Sequence, residues 1–177
     1  METILLRAAT LADLPACAAI YAYHVRTGLA SFETEAPSES EFTSRFAGIT
    51  GGGYPYLVGV SAGAVLGYAY VSAFRARPAY RHTVEDSIYI AADARGRGLG
   101  KELLLRLIDE CTACNYRQML AVIGDSGNAA SIRLHRACGF ERMAIFVGTG
   151  FKFGRWVDTV FMQRALGAGT TTLPASG

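Results

Sequence analysis

Arg95-Gly96-Arg97-Gly98-Leu99-Gly100 lies between a β-like run, Thr83 to Ile90, and an amphipathic helical run, Lys101 to Cys114. A glycine-rich turn that feeds a strand into a helix N-terminus suits a phosphate. The first N–H groups of the helix have no internal partner, and the helix dipole adds partial positive charge. Glycine lets the main chain take φ > 0 and come close to an anion. Arg95, Arg97 and Lys101 surround the turn with cations. A helix that merely starts after a flexible turn would need neither the three glycines nor the three cations. Two familiar phosphate loops fail on residue identity. A nucleotide P-loop ending at Gly100-Lys101 would need glycine where Arg95 stands and a hydroxyl where Glu102 stands. A dinucleotide fingerprint starting at Gly96-x-Gly98 would need glycine where Lys101 stands, and the motif lies past mid-chain.

The rest of the chain bounds the class. A length of 177 residues suits one domain, expected over residues 1–166, with 167–177 a small, polar and disordered tail. With 51% hydrophobic and 18% charged residues the chain is a folded globular one. A net charge of +2 implies neither nucleic acid nor a membrane surface, whereas the local arginine clusters suit small anionic ligands. No apolar stretch is long enough to span a membrane and Met1 to Ala9 does not read as a secretory signal, so a cytoplasmic protein is expected. Cys111-x-x-Cys114 and His135-x-x-Cys138 look superficially like a zinc set. However, Cys111 shares a helix face with Leu104, Leu107 and Ile108, so a core role is expected and no metal.

Outward from the turn, the expected order is βααβββαβαββ, an α/β domain on one mixed sheet. The strands are Ile4–Ala8, Tyr54–Ser61, Ala64–Phe74, Thr83–Ile90, Gln118–Ile123, Glu141–Val147 and Trp156–Arg164. The helices start at Thr10-x-x-Asp13, Ser38-x-x-Glu41, Lys101 and Asn128, and Ala62-Gly63 reads as a hairpin turn.

A second motif is Asn128-Ala129-Ala130-Ser131-Ile132-Arg133-Leu134-His135-Arg136-Ala137-Cys138-Gly139-Phe140. In itself it is a helix with an asparagine N-cap and a glycine C-cap. Together with Arg95-x-x-Gly98-x-Gly100 it resembles the two signature segments of the GNAT superfamily of N-acetyltransferases. The segments Arg77-Pro78-Ala79-Tyr80-Arg81-His82-Thr83-Val84-Glu85-Asp86-Ser87-Ile88-Tyr89-Ile90 and Gly150-Phe151-Lys152-Phe153-Gly154-Arg155-Trp156-Val157-Asp158 narrow the resemblance. They resemble the phosphinothricin and methionine sulfoximine (sulfone) N-acetyltransferases, as does Ser31-Phe32-x-Thr34-Glu35. Gly51-Gly52-Gly53 departs from that pattern, with no functional consequence expected.

The resemblance implies the GNAT fold: a mixed, mostly antiparallel sheet flanked by helices, with strands splayed at an acetyl-CoA cleft. It implies acetyl-CoA as cosubstrate, a small amino-acid analogue as acceptor and a homodimer. Arg95 to Lys101 (Arg95, Gly96, Arg97, Gly98, Leu99, Gly100, Lys101) would hold the pyrophosphate. Asn128 and Ser131 would meet the pantetheine arm, and the main chain of Ile88, Tyr89 and Ile90 would bond its amides like one more strand. Ile88 N–H is the expected oxyanion donor. Glu85 is the candidate general base, the alternative being an ion pair with an arginine of the preceding loop. His135 is the candidate acid or a cofactor contact, the alternative being a structural histidine. Arg75, Arg77, Pro78, Ala79, Tyr80 and Arg81, with Phe32 and Lys152, are the candidate acceptor contacts, arginine being suited to a carboxylate clamp. An acetyltransferase for another amine or a peptide N-terminus, and a CoA-binding sensor without turnover, remain as alternatives.

Overall fold

A computed structural model describes residues 3–174 of the chain. Residues 1–2 and 175–177, the ends of the expected domain and tail, lie outside the described residues. Seven strands form one sheet in the order β1-β2-β3-β4-β5-β7-β6. They are β1 Leu5–Ala8, β2 Tyr56–Ser61, β3 Ala64–Ala73, β4 Thr83–Ile90, β5 Gln118–Gly124, β6 Glu141–Lys152 and β7 Arg155–Ala165. Every neighbouring pair is antiparallel except β4 and β5. Four helices join them: α1 Leu14–Thr27, α2 Glu39–Gly51, α3 Leu99–Ala113 and α4 Ala129–Ala137.

Each helix follows from local chemistry. Ser38 Oγ accepts the Glu41 N–H at the start of α2, and Asn128 Oδ1 accepts the Ser131 N–H at the start of α4. On α3, Leu99, Leu103, Leu104, Leu107, Ile108 and Cys111 recur at helical spacing and are buried against the sheet. Each of the leucines contributes about 1.5–3 kcal/mol in transfer alone. The other face of the sheet is aromatic: Tyr21, Phe42 and Phe46 from α1 and α2 pack on Tyr56, Tyr68 and Tyr89. The β2–β3 turn at Ala62-Gly63 has φ of 49° and 80°, the paired positive values a tight hairpin requires.

One segment differs from the sequence-based expectation. β6 was expected to stop at Val147, yet it continues through two register shifts to Lys152 and turns at Phe153-Gly154 into β7. Of the expected tail, residues 167–174 are described, and there Arg117, just ahead of β5, donates to Gly169 O, Thr172 Oγ1 and Leu173 O.

Candidate active site

β4 and β5 pair only from Thr83–Gln118 to Asp86–Ala121. Beyond that point β4 stays with β3 as far as Ile90, while β5 stays with β7 as far as Gly124. The sheet therefore opens along its middle. The opening is a cleft of ≈ 380 Å³ lined by residues 29–33, 85–89, 121–124, Asn128, Ser131, His135 and Thr159. That volume suits a small-molecule site. The Ala91 N–H donates to Leu66 O on β3 at 2.9 Å, which sets the alternation along β4. Glu85, Ser87 and Tyr89 turn their main-chain groups toward β3; Ile88 and Ile90 turn theirs toward the opening. Ile90 O is taken by His24 Nε2 at 3.0 Å, so His24, a residue without a motif, braces this edge. Ile88 keeps both its N–H and its C=O toward the cleft.

Alternation also sorts the side chains onto two faces. Val84, Ile88 and Ile90 pack in the cluster under α3, whereas Tyr89 packs in the aromatic cluster under α1 and α2. Glu85 therefore projects on the α1–α2 side, and Asp86 on the α3–α4 side. Glu85 is half-buried and makes no ion pair with any arginine among the described residues. Burial, and then the charge of Asp86, push its carboxyl above the ordinary value. Phe32 stands on the cleft wall, on a loop that closes over β5 and β6. There is no room for a Cβ beneath that loop: one at Gly124 would stand 2.0 Å from Leu29 O, and one at Gly150 2.8 Å from the Phe32 ring.

On the opposite face, His135 Nε2 meets Asp86 Oδ2 at 3.0 Å, and Nδ1 meets Ser131 O at 2.8 Å. A carbonyl only accepts, so Nδ1 carries a proton; a second proton then lies between Nε2 and the carboxylate. Burial pulls His135 down, but the Asp86 hydrogen bond and charge, with the Ser131 carbonyl, outweigh it and raise the imidazole above its ordinary value. Asp86 Oδ1 is buried without a partner among the described residues. Both ring nitrogens of His135 are thus engaged within the protein, and the residue is 2% exposed.

At the far end of β4 the glycine-rich turn has the geometry an anion needs. Gly96 and Gly98 have φ of 77° and 85°. Among the described residues, no partner is found for the N–H groups of residues 95–100, while the Lys101 and Glu102 N–H groups fold back on Gly98 O. Arg95, Arg97 and Lys101 are exposed around it, with the Arg95 guanidinium over the Tyr23 ring at 5.5 Å. A Cβ on Gly100 would lie 3.4 Å from Leu134 of α4 and 3.8 Å from Ile90 of β4, so the turn, the open end of β4 and α4 are neighbours along one track.

The structure does not bring all of the expected residues together. Arg75 to Arg81 form an exposed turn that joins β4 at its Glu85 end, but none of them lines the cleft. Arg75 instead lies over the rings of Phe74 and Tyr80. Lys152 is 3% exposed, and its amine is spent on Gly28 O and Ser31 O. Asp86 and Gly124 went unremarked in the sequence. Asp86 was detectable as the strand neighbour of a candidate base, necessarily on the opposite face; nothing local marks Gly124, whose constraint comes from a loop nearly a hundred residues away.

Residues 6–161 match the family model for the acetyltransferase (GNAT) domain. The chain is 56% identical over 162 residues to a phosphinothricin N-acetyltransferase of Alcaligenes faecalis, covering 92% of this chain and 82% of that one. It is 43% identical over 159 residues to an L-methionine sulfoximine/L-methionine sulfone acetyltransferase of Pseudomonas aeruginosa, covering 89% and 92%. Among solved structures, it is similar to a GNAT phosphinothricin acetyltransferase from Sinorhizobium meliloti in complex with AcCoA. There the TM-score is 0.96 at 54% identity, over 99% of this chain and 95% of that one. The split sheet, the glycine turn ahead of α3 and the match across nine-tenths of the chain agree: this protein belongs to the GNAT family of N-acetyltransferases.

Proposed function

We propose that this acetyl-CoA-dependent enzyme acetylates the α-amino group of small amino-acid analogues, namely L-phosphinothricin, L-methionine sulfoximine or L-methionine sulfone. Transfer is direct, with Glu85 as general base. One observation carries the reading: an unpaired, half-buried carboxylate stands at the parting of β4 and β5, one face away from the cofactor track, with Ile88 N–H between. When bound, acetyl-CoA supplies the activated carbonyl. Glu85 then takes the amine proton, which its raised pKa favours. Ile88 N–H donates to the carbonyl oxygen as charge develops on it. Asn128 and Ser131 hold the pantetheine arm, and residues 95–101 hold the pyrophosphate. His135 keeps the Ser131 turn in place from behind; to protonate the leaving sulfur it would have to release one of its two bonds. Phe32, on the cleft wall, packs against the acceptor side chain.

The active form we propose is a homodimer. Met143, Phe146, Val147, Phe151, Phe153 and Trp156 expose apolar surface along the β6–β7 hairpin, at an open sheet edge. A monomeric mass in light scattering would remove the dimer.

The test is CoA thiol release from acetyl-CoA with the three amino-acid analogues, set beside a polyamine, an aminoglycoside and a peptide with a free N-terminus. Saturable turnover confined to the analogues supports the reading; turnover confined to another amine discards the substrate class. Glu85→Gln is expected to lower kcat by about 10²–10⁴. An unchanged kcat removes Glu85 as base.

A further inference from the structure

We propose that Lys152 is a positioning residue that fixes the acceptor-side wall of the cleft by tethering the main chain of Gly28–Ser31. The role rests on the reading above in taking that wall to be the acceptor's. Lys152 reaches from the end of β6 and donates to Gly28 O at 3.0 Å and to Ser31 O at 2.7 Å. Among the described residues no carboxylate lies within ion-pair distance of it. Lysine is rarely buried, and rarer still without a carboxylate. Here two charge-assisted bonds to carbonyls without another partner among the described residues offset part of its desolvation.

Three further contacts show that the loop has a single seat. Tyr21 Oη meets Ser31 Oγ at 2.9 Å. The Leu29 carbonyl lies where a Gly124 Cβ would be, and the Phe32 ring where a Gly150 Cβ would be. Leu29, Ala30, Ser31, Phe32 and Glu33 all line the cleft, whereas Lys152 does not. The lysine therefore acts on the acceptor only through the loop it holds. An apolar residue of equal length would fill the volume and leave both carbonyls unpaired.

Lys152→Met provides the test, read in two ways. Hydrogen exchange of the substrate-free protein should accelerate at residues 28–33 and stay unchanged in α3 and β7. With the analogues, the acceptor KM should rise about tenfold or more and the acetyl-CoA KM stay within about twofold, because displacement of a positioning group by about 1 Å has effects of that size. Lys152→Gln, which keeps donors, should fall between, and it serves alone should the methionine variant fail to fold. Unchanged exchange at 28–33 overturns the tether. A rise in both KM values with exchange faster throughout also overturns it, because that is general destabilisation. Should the wild type ignore the analogues, the substrate reading fails and the exchange arm alone decides the tether.

Discussion

Gly124→Ala adds one methyl group to the end of β5, where the structure leaves no space for it. The new Cβ would stand 2.0 Å from Leu29 O and 3.1 Å from the Phe32 ring. The first clash is with main chain, which has no rotamer to escape into. Restoring contact at about 3.4 Å requires the loop to retreat by roughly 1.4 Å. The loop resists, because hydrogen bonds to Lys152 and Tyr21 hold it in place. Overpacking of this kind costs about 1–3 kcal/mol. In a domain of this size each kcal/mol lowers Tm by about 2–4 °C, so a fall of several degrees is expected. Phe32 moves with the loop, and misplacement on that scale should lower kcat/KM for the acceptor by about 10–100-fold. The assays are thermal unfolding and initial rates at saturating acetyl-CoA. Gly48→Ala is the control: it lies inside α2, a Cβ there meets nothing within 4 Å, and stability should rise by about 0.5–1 kcal/mol. A Gly124→Ala protein with wild-type Tm and wild-type acceptor kinetics would refute the placement of the loop.

Gly98 tests the anion turn: its φ of 85° penalises Ala by about 1–2 kcal/mol but is tolerated by Asn. Gly98→Ala should therefore raise the acetyl-CoA KM more than Gly98→Asn, and equal values would show that the backbone conformation is not what matters. As the proposed base, Glu85 must be ionised to act, and its carboxyl is raised by burial and by Asp86, so kcat/KM should fall on acidification through a limb above the ordinary glutamate value. Asp86→Asn removes the neighbouring charge and should move that limb to lower pH; a limb that stays put excludes the coupling. His135 is raised in the folded protein, so folding is stabilised in full below its ordinary 6.5 and this contribution fades as pH rises through the raised value. The Tm loss on Asp86→Asn should accordingly be larger near about pH 6 than near about pH 9. Equal losses at both would contradict a proton shared between Asp86 and His135.

Features whose cause is local were readable in the sequence. β4 begins at Thr83 and ends at Ile90 as its alternation implies, and α4 starts at its asparagine cap. The turn at Gly96 and Gly98 declares its positive φ through glycine itself. Features whose cause lies elsewhere in the chain were not legible there. Gly148 and Gly150 lie past Val147, the expected end of β6, yet the strand runs through both. Gly150 is a position where another group comes close, with the Phe32 ring in the space of its Cβ. Lys152 reads as a cation awaiting an anion, and only the tertiary fold shows its two carbonyl partners, 124 and 121 residues earlier in the chain. The Arg75–Arg81 turn reads as a carboxylate clamp from its charge, although no local pattern says where an exposed arginine points.

Glu85 and Asp86 show how a strand can assign two different roles to two like residues. Consecutive side chains on β4 must point to opposite faces, so the pair cannot share one site. Glu85 lines the cleft together with the loop carrying Phe32, and Asp86 bonds the histidine of α4. The parting of β4 from β5 begins at the very next residue, which places the Ile88 N–H in the gap between the two faces. A register slip of one residue would bring Asp86 to the acceptor face and leave His135 facing Glu85 or Ser87, each with a different reach. Register here is set by buried neighbours on both sides: Val84 and Ile88 under α3, and Tyr89 against Tyr21 and Tyr68. The apolar residues of β4 thus do more than fill the core. They determine which carboxylate stands on the Phe32 side of the cleft, and a substitution that loosens Tyr89 in its aromatic cluster should cost activity through Glu85, four residues along the same strand.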